Sequence, residues 1–192
     1  MIRLEPRFAE LAATTNFSFL RGASHPEEMV ARAAELGLAG IGIADRNTLA
    51  GIVRAHTFAR ENAEAMGAMR VVPGARLAFV DGAPDALVYP KDRAAYGRLC
   101  RILTEGNKRA PKGECWLRLD DLLERSEGLQ VVAMPSLSPS PPLPIGCSEE
   151  RPSLDRLSGE GRGEGAPLRL LREAFGERLW IGASLAYGAD MR

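Results

Sequence analysis

Histidine and cysteine, the residues that hold transition metals most often in proteins, are scarce in this chain of 192 residues. It has two histidines, His25 and His56, and three cysteines, Cys100, Cys115 and Cys147. An odd number of widely spaced cysteines favours neither a disulfide framework nor a CxxC zinc motif, so we expect reduced and mostly buried thiols. We expect His25 in an exposed turn and His56 on the inward side of a helix.

A net charge and long apolar runs are also missing. The 25 basic residues balance the 25 acidic ones, which disfavours a dedicated nucleic-acid binder, since such proteins usually carry a basic excess. No apolar run approaches the ~18 residues of a membrane span. The charged segment Met1–Arg7 lacks the apolar core of a signal peptide. We therefore expect a cytoplasmic protein that does not associate with membranes.

Strand and helix patterns alternate along most of the chain. Continuous apolar runs such as LAGIGIA indicate strands buried on both faces, and the DGA turn at 81–83 indicates a hairpin. The alternation predicts an α/β domain, either a barrel or a doubly wound sheet. The predicted strands cover 8–14, 38–44, 70–80, 86–89, 129–133 and 178–187, and the predicted helices cover 24–36, 48–66, 92–104, 119–126 and 168–175.

The pattern is interrupted between residues 135 and 167. Pro, Gly and Ser fill 18 of these 33 positions, a composition that cannot build a core. We expect a disordered insertion at 135–167 between a first part of the domain, 1–134, and its continuation, 168–192. A capping box of Ser24 and Glu27 is predicted to begin the first helix.

Asp45 is the sharpest single candidate for a functional residue. It follows a buried strand, at the edge where α/β proteins gather their functional groups, and its carboxylate can bind metal. The structural alternative is that Asp45 caps the next helix or orders its own turn. Thr14, Asn16 and Ser18 alternate after the first strand and are predicted to point toward the same rim. Hydroxyls and amides alone are weak ligands for transition metals.

A second candidate surface is the basic stretch between residues 91 and 112, which contains seven basic residues and two acidic ones. Such a stretch is typical either of a solvated helix face or of contact with a phosphate backbone. The chain contains no Ser/His/Asp set, Gly-rich phosphate loop or HExxH motif. The candidate nucleic-acid contacts are Arg93, Arg98, Arg101, Lys108, Arg109 and Lys112.

Several consecutive motifs resemble a known family. Residues 8–56, FAELAATTNFSFLRGASHPEEMVARAAELGLAGIGIADRNTLAGIVRAH, are similar to the amino-terminal PHP (polymerase and histidinol phosphatase) domain of bacterial error-prone DNA polymerases, C-family relatives of the DNA polymerase III alpha subunit. The similarity continues through VVPGARL and LVYPKDRAAYGRLC and returns at LREAFGERLWIGASL. It covers the whole chain except the Pro/Gly/Ser-rich segment.

The resemblance implies a distorted (β/α) barrel with metals at its rim, here incomplete at the carboxy-terminal end. Metal-binding relatives place His-x-His or His-x-Asp at Thr14 and Asn16, Asp-His at Asp45 and Arg46, and a Gly-x-Glu carboxylate at Arg76. Arginines at such positions oppose cation binding by Coulomb repulsion. We therefore expect a degenerate site without metal and without catalytic residues, in which Arg46 or Arg76 pairs with Asp45.

The resemblance also implies a parent protein. It would be an error-prone polymerase of damage-induced mutagenesis and translesion synthesis, whose palm would use Mg²⁺, and this chain would be a non-catalytic scaffold. Its expected partners are the remaining polymerase domains, DNA through the parent, and translesion accessory proteins. We expect the palm to lie outside the chain, which alone should not polymerise. The alternatives are a free-standing PHP-type metal-dependent phosphoesterase or exonuclease, and an inactive gene-fragment product.

Overall fold

The computed structural model describes residues 8–134 and 166–182. Most of the predicted insertion, the end of the last predicted strand and Cys147 lie outside these residues. Among the described residues, no helix has the length and apolar composition needed to cross a membrane. The strands are β1 (Ala9–Ala13), β2 (Gly40–Arg46), β3 (Arg70–Leu77), β4 (Asp85–Pro90), β5 (Leu129–Met134) and β6 (Leu179–Ile181), and the helices are α1 (Pro26–Glu35), α2 (Ala50–Glu61), α3 (Ala63–Met66), α4 (Arg93–Arg109), α5 (Leu119–Leu123) and α6 (Ala166–Phe175).

The strands form one mixed sheet in the order of the chain. β1, β2 and β3 run parallel, β4 is antiparallel to both β3 and β5, and β6 runs parallel to β5. The sheet curls into a half-barrel, which confirms the predicted α/β fold of PHP type. The predicted hairpin between the third and fourth strands is also confirmed. As a result, the carboxyl ends of β1, β2 and β3 and the start of β4 share one rim.

Strand β2 is longer than its apolar run predicts. The predicted strand ends at residue 44, but Asp45 and Arg46 continue it and pair with Ala75 and Arg76 of β3. The backbone ladder with a long neighbouring strand therefore outweighs the low strand propensity of two charged residues. The consequence for the site is that Asp45 and Arg46, as consecutive strand residues, face opposite sides of the sheet.

The outer face of the sheet is covered by helices. Ile41 and Ile43 of β2 pack against Val30 of α1 and against Ile52 and Ala55 of α2, all of them buried. A second cluster joins β3, β4 and β5 to α4, α5 and α6. Its larger members include Leu77, Val88, Leu99, Ile102, Leu122, Leu129, Val131, Leu171 and Phe175.

The inner face is built around Tyr89 of β4. Its ring lies against Gly42 and Gly74, where a Cβ atom would stand 3.2 Å and 2.4 Å from the Tyr89 Cε1 atom. Its hydroxyl donates a hydrogen bond to the backbone carbonyl of Leu11. Burial raises the pKa of Tyr89, so the phenol stays protonated and able to donate. The two glycines let one side chain tie β4 to β1 across the sheet.

The first helix begins one residue later than the predicted capping box requires. His25 occupies the N-cap position with Pro26 after it, and the Glu28 carboxylate accepts a hydrogen bond from the His25 N–H at 2.9 Å. The predicted Ser24 and Glu27 pair is therefore wrong. Glu27, one residue before the box position, instead forms an ion pair with Arg54 of the neighbouring helix α2 at 2.5 Å.

The predicted helix 48–66 divides into α2 and α3 at Asn62. The predicted inward position of His56 is wrong, since this residue is exposed. The buried residues Ile52 and Ala55 set the helix phase, which leaves His56 on the solvent side. His25 is exposed, as predicted. Cys100 and Cys115 are free and half-buried, and burial raises the pKa of the Cys115 thiol to about 11.

Candidate functional site

A small cleft opens at the rim where β1, β2 and β3 end. It has a volume of about 270 Å³ and is lined by Thr14, Arg21, Ala44, Arg46 and Arg76. Arg46 and Arg76 are direct partners in the parallel β2 and β3 pair, so their side chains leave the same face of the sheet. Three guanidinium groups therefore converge on the position at which the resemblance places metal ions in other members.

One carboxylate faces these arginines. Asp85 begins β4, and its Oδ2 atom lies 2.8 Å from Nε of Arg76 and 3.6 Å from Nη1 of Arg46. Asp85 thus takes the place predicted for Asp45 as the partner of the arginines. The hairpin register explains the difference, because Leu77 pairs with Ala86 and brings the preceding Asp85 to the end of β3. The expected pairing of Arg46 or Arg76 with Asp45 is wrong.

Asp45 faces the other side of the sheet and is 1% exposed. Its Oδ1 atom accepts hydrogen bonds from the Thr15 N–H at 2.8 Å and the Ser18 hydroxyl at 2.7 Å, and its Oδ2 atom accepts one from the Thr15 hydroxyl at 2.7 Å. The Oδ2 atom also lies against Gly51 of α2. Both carboxylate oxygens therefore accept hydrogen bonds from the loop after β1. The structural alternative, in which Asp45 caps the next helix or orders its own turn, is therefore wrong. Asp45 instead holds the loop after β1, and we call its three hydrogen bonds to Thr15 and Ser18 the Asp45 latch.

The predicted common face of Thr14, Asn16 and Ser18 is also wrong. Thr14 lines the cleft, the Asn16 amide lies 2.9 Å from Nδ1 of His25, and Ser18 turns inward to Asp45. The loop does not continue the strand, because the Ser18 and Arg21 N–H groups donate to the carbonyls of Thr15 and Ser18 in successive turns. Turns replace the period-2 alternation on which the prediction depended.

Burial and neighbouring charges both change the pKa of Arg46. Burial lowers the pKa of Arg46, and the nearby Arg21 and Arg76 lower it further, while Asp85 acts in the opposite direction. The side chains of Arg46 and Arg76 are each about one third exposed, and that of Asp85 is 23% exposed. The cleft is a partly desolvated site with an excess of positive charge.

Three of the six predicted nucleic-acid contacts in the basic stretch at residues 91–112 already have partners within the chain. Arg98 donates to the Glu127 carbonyl at 2.8 Å, and Lys108 lies 3.6 Å from the Glu105 carboxylate. Arg109 forms a bidentate pair with Asp121, at 2.5 Å and 2.6 Å. The other three predicted contacts, Arg93, Arg101 and Lys112, are exposed and form no ion pair within the part of the chain that the structure describes.

The Arg109 pair has a structural role. Asp121 is 5% exposed, and its Oδ2 atom also accepts a hydrogen bond from the Arg118 N–H at the start of α5. Burial would raise the pKa of Asp121, but the hydrogen bonds from Arg109 and Arg118 hold it below its ordinary value. Arg109 thus fixes α5 to the end of α4, and it is not available to a phosphate backbone.

The comparisons with known proteins agree with this architecture. The sequence profile described as PHP domain matches residues 10–149. The chain belongs to the PHP domain family. The error-prone DNA polymerase of Caulobacter vibrioides is 48% identical over 184 residues, which are 96% of this chain and 15% of that protein. The error-prone DNA polymerase of Brucella abortus biovar 1 is 57% identical over 129 residues, which are 67% of this chain and 12% of that protein.

The PHP domain described here therefore spans between 12% and 15% of the length of these two relatives. Among solved structures, a Bifidobacterium adolescentis protein that carries the name metal-dependent phosphoesterase is similar with a TM-score of 0.56, at 16% identity over 94% of this chain and 87% of that one. An amidohydrolase from Chromobacterium violaceum with bound sulfate and no metal is similar with a TM-score of 0.51, at 13% identity over 93% and 87%. These two similarities show the fold.

The rim residues do not fit the metal cluster that the family implies. Asp45 has both oxygens occupied by donors of the β1 loop, and Arg46 and Arg76 stand where ligands are expected. Among residues 8–134 and 166–182, no three His, Cys, Asp or Glu side chains are close enough to hold an ion. A single carboxylate that is shared by two arginines is a poor cation ligand.

Three residues of the site are not indicated by the sequence. Thr15 lies between Thr14 and Asn16, the two positions at which relatives carry metal ligands, and no pattern singles it out. Asp85 lies between the predicted turn at 81–83 and the predicted strand at 86–89, because aspartate is rare in strands, whereas β4 begins at Asp85. Arg21 lies in the irregular loop after β1, where periodicity gives no orientation. The antiparallel register of β3 and β4 brings Asp85 to the arginines, and a single sequence does not fix that register.

Proposed function

We propose that this chain is the PHP domain of an error-prone DNA polymerase and that the domain supports the polymerase core without catalysing a reaction itself. The observation that carries the proposal is the composition of the rim. Arginines stand at positions where metal-binding relatives have metal ligands, and the Asp45 carboxylate is hydrogen-bonded to the loop after β1. Similarity to the Caulobacter vibrioides polymerase along 96% of this chain supports the assignment to that parent.

The proposal includes the parent's setting. The remaining polymerase domains are the partners of this domain, DNA is contacted through the parent, and the palm of the parent uses Mg²⁺ for nucleotidyl transfer. We propose damage-induced translesion synthesis in the cytoplasm as the parent's role, with translesion accessory proteins as further partners. Within the chain, we retain the division into 1–134, the 135–167 insertion and 168–192. Arg93, Arg101 and Lys112 remain the candidate DNA contacts of the basic stretch.

The second candidate, a free-standing metal-dependent phosphoesterase, is favoured by the fold shared with the Bifidobacterium adolescentis protein. That chemistry needs a cation to polarise the phosphoryl oxygen or to activate water. The arginines of this rim argue against it, because they oppose the cation by charge and occupy its place.

The two candidates predict different activities for the full chain. We expect no hydrolysis of bis(p-nitrophenyl) phosphate with added Zn²⁺, Mn²⁺ or Mg²⁺, and no primer extension. In the full-length polymerase that contains this domain, we expect Asp45→Ala to lower the temperature at which primer extension is lost, since a folded scaffold domain stabilises the core that binds it and an unfolded one does not.

The matched control is Glu61→Ala, which changes an exposed carboxylate of α2 and should leave that temperature unchanged. Metal-stimulated ester hydrolysis by the chain would overturn the scaffold proposal in favour of the phosphoesterase. Equal inactivation temperatures for Asp45→Ala and the unmodified polymerase would also overturn it.

A further inference from the structure

We propose that the cleft between Arg21, Arg46 and Arg76 is a binding site for a phosphate-class oxyanion that needs no metal. The site occupies the rim at which the family fold implies cations, with the sign of its charge reversed. The inference concerns the isolated domain and does not depend on the activity of the parent polymerase.

The first argument is charge. Three guanidinium groups surround the cleft, and Asp85 is the one carboxylate that pairs with any of them among the described residues. Arginine stays protonated at neutral pH, so the cleft keeps a net charge near +2. Burial is the main cause that lowers the pKa of Arg46, and the positive charges of Arg21 and Arg76 lower it further, which shows that like charges lie close together in this partly buried site. A divalent anion would neutralise the excess.

The second argument is that hydrogen-bond donors remain available. Asp85 accepts from Nε of Arg76 at 2.8 Å, while Nη1 of Arg46 lies 3.6 Å away, beyond hydrogen-bond distance. Within the described part of the chain, no group accepts a hydrogen bond from the guanidinium of Arg46 or of Arg21. The planar fork of a guanidinium matches two oxygens of a phosphate. Thr14 places a hydroxyl on the same wall.

The third argument is that the arginines are held in place. Arg46 and Arg76 lie on paired strands of the sheet, and the hydrogen bond from Arg76 to Asp85 holds the Arg76 side chain. Arg21 lies in the loop that the Asp45 latch secures through Thr15 and Ser18. The backbone that carries the three arginines is therefore held by the sheet and by the Asp45 hydrogen bonds, which lowers the cost of ordering the site when it binds.

Size and charge together select the ligand. A volume of about 270 Å³ is just below the ~300 Å³ at which pockets begin to enclose drug-sized ligands. It admits a phosphate or diphosphate group with some water. The same chemistry is offered by free inorganic phosphate and by the terminal phosphate of a nucleotide chain, so the experiment must separate these two sources.

The test is isothermal titration of the full chain, treated with chelator, with inorganic phosphate at constant ionic strength. A 5′-phosphorylated trinucleotide and its 5′-hydroxyl counterpart form two further arms. We expect saturable binding of phosphate with a Kd of about 1 mM or tighter. Preference for the phosphorylated trinucleotide over both other probes would assign the site to a nucleotide terminus, and tighter binding of inorganic phosphate would assign it to the free ion.

Variants test the residues. Arg46→Ala should weaken phosphate binding about tenfold, which corresponds to one lost charge-assisted hydrogen bond. If that variant does not fold, Arg21→Ala serves in its place, since the Arg21 side chain is exposed and forms no hydrogen bond with a described residue. Asp85→Asn should tighten binding, because it removes the opposing negative charge. The matched control is Arg60→Ala, which changes an exposed arginine of α2 outside the cleft and should bind as the unmodified chain does.

Three results would overturn the proposal. One is the absence of saturable phosphate binding by the unmodified chain up to about 10 mM, well above the expected Kd. Another is equal affinity in folded Arg46→Ala or Arg21→Ala. The third is binding that appears only after a divalent metal is added, which would return the site to cation chemistry.

Discussion

Replacing Asp45 by alanine should lower the free energy of unfolding by about 3 kcal/mol or more. The carboxylate accepts three hydrogen bonds in a buried position, and each bond to a charged group contributes about 1.5–3 kcal/mol. The substitution leaves the Thr15 N–H, the Thr15 hydroxyl and the Ser18 hydroxyl buried without an acceptor. Urea denaturation followed by circular dichroism measures the change.

A series of variants separates the loss of the hydrogen bonds to Asp45 from a general loss of packing. Ser18→Ala removes one donor to Asp45 and the acceptor of the Arg46 N–H, and it should cost about 1–2 kcal/mol. Asp45→Asn keeps the shape but loses the charge and one acceptor, so its cost should lie between those of Ser18→Ala and Asp45→Ala. Glu61→Ala, on the exposed side of α2, should stay within about 0.5 kcal/mol. A cost for Asp45→Ala no larger than that of Glu61→Ala would contradict the role assigned to this carboxylate.

A second large effect is expected at Gly22, in the loop that carries Arg21. A Cβ atom there would stand 2.2 Å from the Thr15 carbonyl oxygen and 2.5 Å from that of Thr14. Both are backbone atoms at the end of β1, which cannot rotate aside as a side chain can. Gly22→Ala should therefore destabilise the domain by about 3 kcal/mol, at the upper end of overpacking costs. Thermal unfolding of the purified variant measures the effect.

Gly97 provides the matched control. It lies inside α4 with nothing within 4 Å of an added Cβ atom. Gly97→Ala should stabilise the domain by about 0.5–1 kcal/mol, because glycine is the poorer helix former. Opposite signs for the two glycine-to-alanine changes support the packing described for the loop. A neutral or stabilising Gly22→Ala would show that the loop does not press against the end of β1.

The elements with strong local patterns were predictable. The buried run in β2, the hairpin before β4 and the long helix α4 follow from periodicity and turn residues, and the structure contains all three. Their ends were less predictable. β2 runs to Arg46 and α4 to Arg109, because neighbouring strands and the Arg109 pair with Asp121 extend them beyond their local signals.

The candidate site was predictable in place but not in its contacts. The sequence located Arg46 and Arg76 at the rim, and both line the cleft. Their partner Asp85 depends on the register between two strands, which a single sequence does not fix. The bond from Thr15 to Asp45 joins residues thirty positions apart through an irregular loop, and no periodicity reports it.

Elemental analysis of the purified full chain tests most directly the claim that arginines have replaced the metal centre of this rim. After dialysis without chelator, the account predicts substoichiometric zinc, manganese and magnesium, since the rim offers the cations guanidinium groups and one shared carboxylate. One or more equivalents of metal per chain, lost in Asp45→Ala or Asp85→Asn, would contradict it.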